Sequence, residues 1–319
     1  MTRCYQITRN SFWRLEMEME DAEEIVRVLE SSLSQIKWRL KLSSKRRLET
    51  DILALCSEMR PVVMVDYGGR MPELQHRLCA SLKHCRNESS AFENLRVMII
   101  EDMIYLVHLK AFHEFSKLSL NLEMEFLFID LEHDPPKMIT RATDERPGIM
   151  ALVMAQRIFS SLLSEGVISC NHSEHSSSDL MANNRPHSSQ TSELIDLSRD
   201  IEETGVTVPT LNGWLLGYPV VYLFGKDHIK DAIYNLSTKS LHLFQILACR
   251  KGAGNDRSQS KKEELLSFSV PYELSLAGSD EPWAKGFLAH MQERQTKHNN
   301  VWESLRLEVV ACYPQAIAF

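Results

Sequence analysis

Three short apolar runs in this chain each end in carboxylates, and that pattern is the first one able to carry chemistry. VVMV runs into Asp66, VMII into Glu101 and Asp102, and FLFI into Asp130, with Glu132, His133 and Asp134 close behind. If the runs are parallel neighbours in a sheet, their carboxyl-terminal ends share one edge, where α/β folds hold ligands. Asp66, Asp102, Asp130 and Asp134 would then offer oxygen ligands to Mg²⁺ or Mn²⁺. The metal would activate a water for hydrolysis of a phosphorylated substrate, with His133 as general acid or base. Gly68 and Gly69 would let the backbone come close to a phosphate. The opposing reading carries more weight. Charged residues end strands wherever a chain returns to solvent, and Glu101-Asp102 reads equally well as a hairpin turn inside VMIIEDMIYLVHL. The acids would then point to opposite edges.

Other candidates are weaker. His76, Cys79, His84 and Cys85 have the right atoms for zinc, but at about 100° per helical residue they scatter around the axis. Cys85 falls on the apolar stripe of Leu74, Leu78 and Leu82, which makes it a core residue. His172 and His175 lie in a serine-rich stretch able to bind metal only loosely. The run KWRLKLSSKRR places Lys37, Arg39, Lys41, Lys45, Arg46 and Arg47 around Trp38. Basic and aromatic residues together can grip RNA or an anionic lipid surface, although such a run more often keeps an inter-helix joint solvated. Trp214, Tyr218, Tyr222 and Phe224 cluster with glycines, in the manner of a pocket wall or of a buried strand.

These residues need elements to position them. Apolar residues from Ala22 to Ile36 and from Leu48 to Met59 recur at helical spacing, so the first 60 residues read as a helical segment. Pro61 then opens the main domain, 61–319. A strand is expected over Val62–Val65, a helix over Glu73–Cys85, and strands over Val97–Leu109 and Leu122–Leu131. A long helix follows from Asp144 to Ser164, with Gly166 as its stop. A disordered insertion is expected at about 166–192; its 22 residues from Asn171 to Ser192 hold seven serines and three histidines, too little apolar surface to offset ordering. A short helix is expected near Leu194–Ile201. Val206–Gly225 is uncharged over 20 residues, but its prolines, asparagine and glycines argue against a membrane span and for two buried strands around Leu211-Asn212-Gly213. Strands at Pro219–Phe224, Leu241–Cys249, Leu266–Tyr272 and Leu305–Cys312 alternate with helices at Asp227–Asn235 and around Trp283–Met291. This β-α-β-β-α-β order is that of a ferredoxin-like unit. The first half echoes it, so the fold class is mixed α/β (α+β), a twisted mixed sheet packed by helices, with two ferredoxin-like halves as one reading of it.

Composition bounds the rest. The chain has 319 residues, 44% of them hydrophobic, and 43 acidic against 36 basic residues give a net charge of −7. That balance disfavours nucleic-acid binding by the chain as a whole. Seven scattered cysteines and no apolar leader fit a reducing compartment, cytoplasmic or nuclear. Walker A, GxGxxG, HExxH and GxSxG patterns are absent, which disfavours the classical nucleotide, dinucleotide, zincin and α/β-hydrolase enzymes.

At PVVMVDYGG and again at LNGWLLGYPVVYLF the chain resembles a vertebrate family of uncharacterised proteins known only as a domain of unknown function. The resemblance covers most of the chain, implies one intracellular domain, and carries no functional residues with it. The reading that follows is an interaction or scaffold protein with no cofactor and an unidentified protein partner, contacting it through the basic joint, the serine-rich insertion or an exposed sheet edge. The alternative is the metal-dependent hydrolase.

Overall fold

The computed structural model describes residues 22–121, 124, 126–140, 146–170, 193–251, 262–297 and 301–315. The serine-rich stretch of 171–192 lies outside them.

The amino-terminal helices form as their spacing dictates. Helix α1 (22–35) buries Ala22, Ile25, Val28, Leu29 and Leu33, and α2 (Leu42–Cys56) buries Leu48, Ile52, Leu53 and Leu55. Strand β1 (Val62–Met64), helix α3 (Glu73–Glu88), strands β2 (Leu95–Ile100) and β3 (Met103–His108), and helix α4 (Leu109–Leu120) follow. The stretch over 97–109 is a tight hairpin turned at Glu101-Asp102, as the hairpin reading of VMIIEDMIYLVHL has it. Strands β4 (Leu127–Asp130) and β5 (Lys137–Thr140) precede helix α5 (Pro147–Cys170), which runs through Gly166 instead of stopping there. The residues expected as a helix from Leu194 begin as a strand, β6 (Leu194–Asp196), and become helix α6 (Ser198–Glu202) only afterwards.

A larger correction concerns Val206–Gly225. Its first part is helix α7 (Val208–Leu215), with Pro209 in the first turn where its missing N–H costs nothing. Only the second part is a strand, β7 (Val220–Leu223). Leu211, Trp214 and Leu215 recur at helical steps and are fully buried, so burial on all sides had erased the amphipathic signal. The remaining elements are α8 (Ile229–Ser237), β8 (Leu241–Arg250), β9 (Lys262–Pro271), α9 (Pro282–Lys297) and β10 (Trp302–Cys312). No helix among the described residues is long and apolar enough to cross a membrane.

The α+β class holds, with three sheets among the described residues in the orders β1-β3-β2-β6, β5-β4-β7 and β10-β8-β9. In the first, β3 lies antiparallel between β1 and β2. The strands on either side of β3, joined through α3, are therefore parallel, the arrangement of a split β-α-β unit. The second half does not repeat it. Strand β7 leaves its own half to pair in parallel with β4, while β8, β9 and β10 form an antiparallel sheet without it. The two proline-valine strands thus have unlike partners, and two ferredoxin-like halves are not present among the described residues.

Two cores lie on opposite faces of the strands. Val63, Val97, Ile99, Ile104 and Leu106 face α1, α2, α3 and the third sheet. Val62, Met98, Ile100, Tyr105 and Val107 face α4, α5 and α7. Phe112, Phe115, Phe159 and Trp214 interlock in that second core, with centroids 5.3–5.8 Å apart for the Phe112–Phe159, Phe159–Trp214, Phe115–Trp214 and Phe112–Trp214 pairs. The Trp214 indole N–H donates to Ser119 Oγ at 2.8 Å.

Candidate functional site

The strand-end acids divide between two sheets. Asp66 follows β1, and Glu101-Asp102 is the loop between β2 and β3, so these acids lie towards one edge of the first sheet, all exposed. Glu101 adopts φ 57°, a turn conformation, and its N–H donates to Ser198 Oγ at 2.9 Å. Asp130 and Asp134 belong to the end of β4, in the second sheet. Among the described residues, no group of three or more His, Cys, Asp or Glu side chains is placed to hold a metal ion. That covers the strand-end acids and the His76, Cys79, His84 and Cys85 set on α3 alike.

Asp130 and His133 do meet. The Asp130 carboxylate is buried; Oδ1 accepts the N–H of Glu132 at 2.9 Å, and Oδ2 lies 3.1 Å from His133 Nδ1 and within an ion pair of Arg146. Glu132 Oε1 accepts the N–H of Gly225 at 2.8 Å, Asn235 donates to the carbonyls of Leu131 and His133, and Asp134 pairs with Lys239 at 2.8 Å. The Glu132 and Asn235 contacts fasten the loop after β4 to the end of β7 and to α8, while Arg146 ties it to the start of α5 and Lys239 to the segment before β8. His133 is 68% exposed, an imidazole oriented by a carboxylate and able to exchange a proton. The neighbouring cleft, lined by Pro136, Lys239, Tyr272 and Leu274, holds about 210 Å³, below the range of roughly 300–1,000 Å³ usual for ligand pockets.

The basic joint is partly spent on the fold. Trp38 is buried, with its indole N–H donating to the Gly68 carbonyl at 3.3 Å. Gly68 takes φ +87° under Leu40 and Trp38, so packing, not a phosphate, occupies the space expected to be open. Lys45 is paired with Glu30 and Glu49, and Arg47 with Asp51 and Glu264. Lys37, Arg39, Lys41 and Arg46 are exposed.

Sequence reasoning missed the polar hub at which Arg47 ends. Asp51, only 1% exposed, accepts from Arg47 Nε at 3.2 Å and from the Tyr67 hydroxyl at 2.7 Å. Arg60 is buried and donates to the Leu265 carbonyl at 2.8 Å, and Arg47 Nη1 donates to the Glu264 carbonyl at 2.9 Å. Burial pushes Asp51 above the usual carboxylate range against the pull of Arg47 and Arg60, and pushes Arg60 down. Tyr67 is raised well above an ordinary phenol by burial and by Asp51. The hub ties α2 and the residues flanking β1 to β9, more than 200 residues away, as the 205-residue separation of Arg60 and Leu265 records. No local signal could reveal it.

One further feature is built for contact. Strand β10 is 11 residues long and stands at the end of its sheet, with β8 on one side and no strand on the other among the described residues. Its odd positions Leu305, Leu307 and Val309 lie opposite Ala248, Ile246 and Phe244 and are only partly buried against the core. Trp283 of α9 covers Phe244 at 4.9 Å between centroids. The even positions Ser304, Arg306, Glu308 and Val310 form the other face; Arg306 is 69% and Val310 48% exposed. An unpaired edge presents a row of N–H and C=O groups to any extended segment that matches its side chains.

Neither a curated protein nor a solved structure matches the chain. A family model does, across residues 30–319. That span takes in the hub, both strand-end clusters and the β10 edge, and the chain belongs to the family described as a domain of unknown function, DUF4504.

Proposed function

We propose that this protein is a non-enzymatic interaction module of a reducing compartment, cytoplasmic or nuclear, which receives an extended partner segment along β10. The observation that carries this reading is the long edge with no strand on its outer side among the described residues. A photo-reactive phenylalanine analogue at Val310 tests it in the full-length chain expressed in cells. A discrete macromolecular adduct is expected from Val310, and none from the same analogue at Tyr234, which is 58% exposed on α8. No adduct at Val310, or equal labelling at both positions, ends the reading.

A second reading, a Mg²⁺- or Mn²⁺-dependent hydrolase, is favoured by one feature, the Asp130 carboxylate that orients His133. It asks ligands from two sheets to serve one ion, and for that reason it stands second.

A further inference from the structure

We propose that the segment which pairs with β10 is β10 of a second copy of this chain, antiparallel across a twofold axis at Leu307. This rests on the strand-addition reading and names its partner. An edge-to-edge antiparallel pair related by a twofold axis perpendicular to the sheet sets residues equidistant from the axis opposite each other, on the same face. An axis between two residues would oppose even positions to odd ones and mix the polar with the apolar face, which the pleat forbids. The axis must therefore fall on a residue.

Only one placement in the middle of the strand satisfies its charges. Centred on Leu307, the symmetry sets Arg306 of each chain opposite Glu308 of the other. On the other face it sets Leu305 opposite Val309 and Leu307 opposite itself. Centred on residue 306, the two arginines collide; centred on residue 308, the two glutamates do. Opposite charges directly across strands stabilise and like charges destabilise, so the pair of charges that guards this edge against arbitrary partners also selects one register with itself. The same register covers the partly buried Leu305, Leu307 and Val309 with their symmetry mates, extending a three-stranded sheet into six strands under the flanking helices. Within one chain Arg306 Nη1 stands 4.0 Å from Glu308 Oε1, and Lys262 Nζ lies 2.7 Å from the same oxygen.

Sedimentation analysis of the full chain over a dilution series reads this directly. The wild type is expected to pass from monomer to dimer. Arg306→Glu sets carboxylate against carboxylate at both symmetry-related positions and is expected to raise the dissociation constant by about tenfold or more. Glu308→Arg sets guanidinium against guanidinium, with the same effect. The double variant R306E/E308R restores opposite charges and is expected to return to within about threefold of wild type. Matching thermal melts of the four monomers separate loss of pairing from loss of folding. A wild type that stays monomeric, a dimer indifferent to the single changes, or a double variant that fails to recover overturns the proposal. A monomer whose Val310 photo-adduct contains another protein ends the self-pairing while strand addition stands; absence of any adduct ends both.

Discussion

Asp130 illustrates how a residue that suggests catalysis comes to serve architecture. Its buried carboxylate accepts from Glu132, His133 and Arg146; the first two bonds close the loop between β4 and β5, and the third ties it to the start of α5. A buried carboxylate must be paired in this way, because leaving it unpaired would cost several kcal/mol, on the order of the desolvation penalty. Nearby, His228 shows the electrostatic side of the same edge. Its hydrogen bond to Asp231, 3.0 Å away, and the charge of Glu132 raise its pKa above 6.5. The protonated imidazole is the form that gains these partners. Its contribution to stability is therefore complete below pH 6.5 and is lost as the pH rises through the raised value. Burial moves His108, His113 and His290 the other way. A histidine NMR titration is expected to find His228 titrating above 6.5 and above those three, and Asp231→Asn to lower it. A His228 resonance that titrates below His290 would contradict the assignment.

At the scale of elements, the Gly68-Gly69 step acts as a hinge for packing. Gly68 sits at φ +87°, and a Cβ there would meet Leu40 Cδ2 at 3.0 Å and Trp38 at 3.2 Å. Gly68→Ala is expected to destabilise the protein by about 1–2 kcal/mol, from the left-handed backbone alone, and by more where Trp38 must move. Denaturant unfolding measures it, and a variant as stable as wild type would show that the turn relaxes freely. Helix α7 was illegible for a related reason. It is 8 residues long, with Pro209 in its first turn and Gly217 just past its end, and buried nearly all round, so no polar face marked its period. Strands β5 and β6, of 4 and 3 residues, are too short to show alternation, whereas α3 and α9 stood out because each shows an apolar stripe against charge.

At the scale of the whole molecule, the sheets decide what the acids can do. Asp66 and Asp102 belong to one sheet and Asp130 and Asp134 to another, so millimolar Mg²⁺ or Mn²⁺ is expected to leave the melting temperature unchanged, in wild type and in Asp66→Asn alike. A metal-dependent rise that Asp66→Asn abolishes would restore the hydrolase. The helical amino terminus shares the first core with β8, β9 and α9, and the Asp51–Arg60 hub makes that junction polar as well as apolar. Composition, the absence of nucleotide and protease signatures, the α+β class and the helices with clean stripes were all legible from the amino acids, because periodicity and burial energy act over a few neighbouring residues. Which strand pairs with which was not. Pairing is chosen by side chains as far as 97 positions apart, as Val97 and Leu194 are, and from such long-range choices come the scattered aspartates, the hub beneath Tyr67, and a final strand with no partner on one side among the described residues.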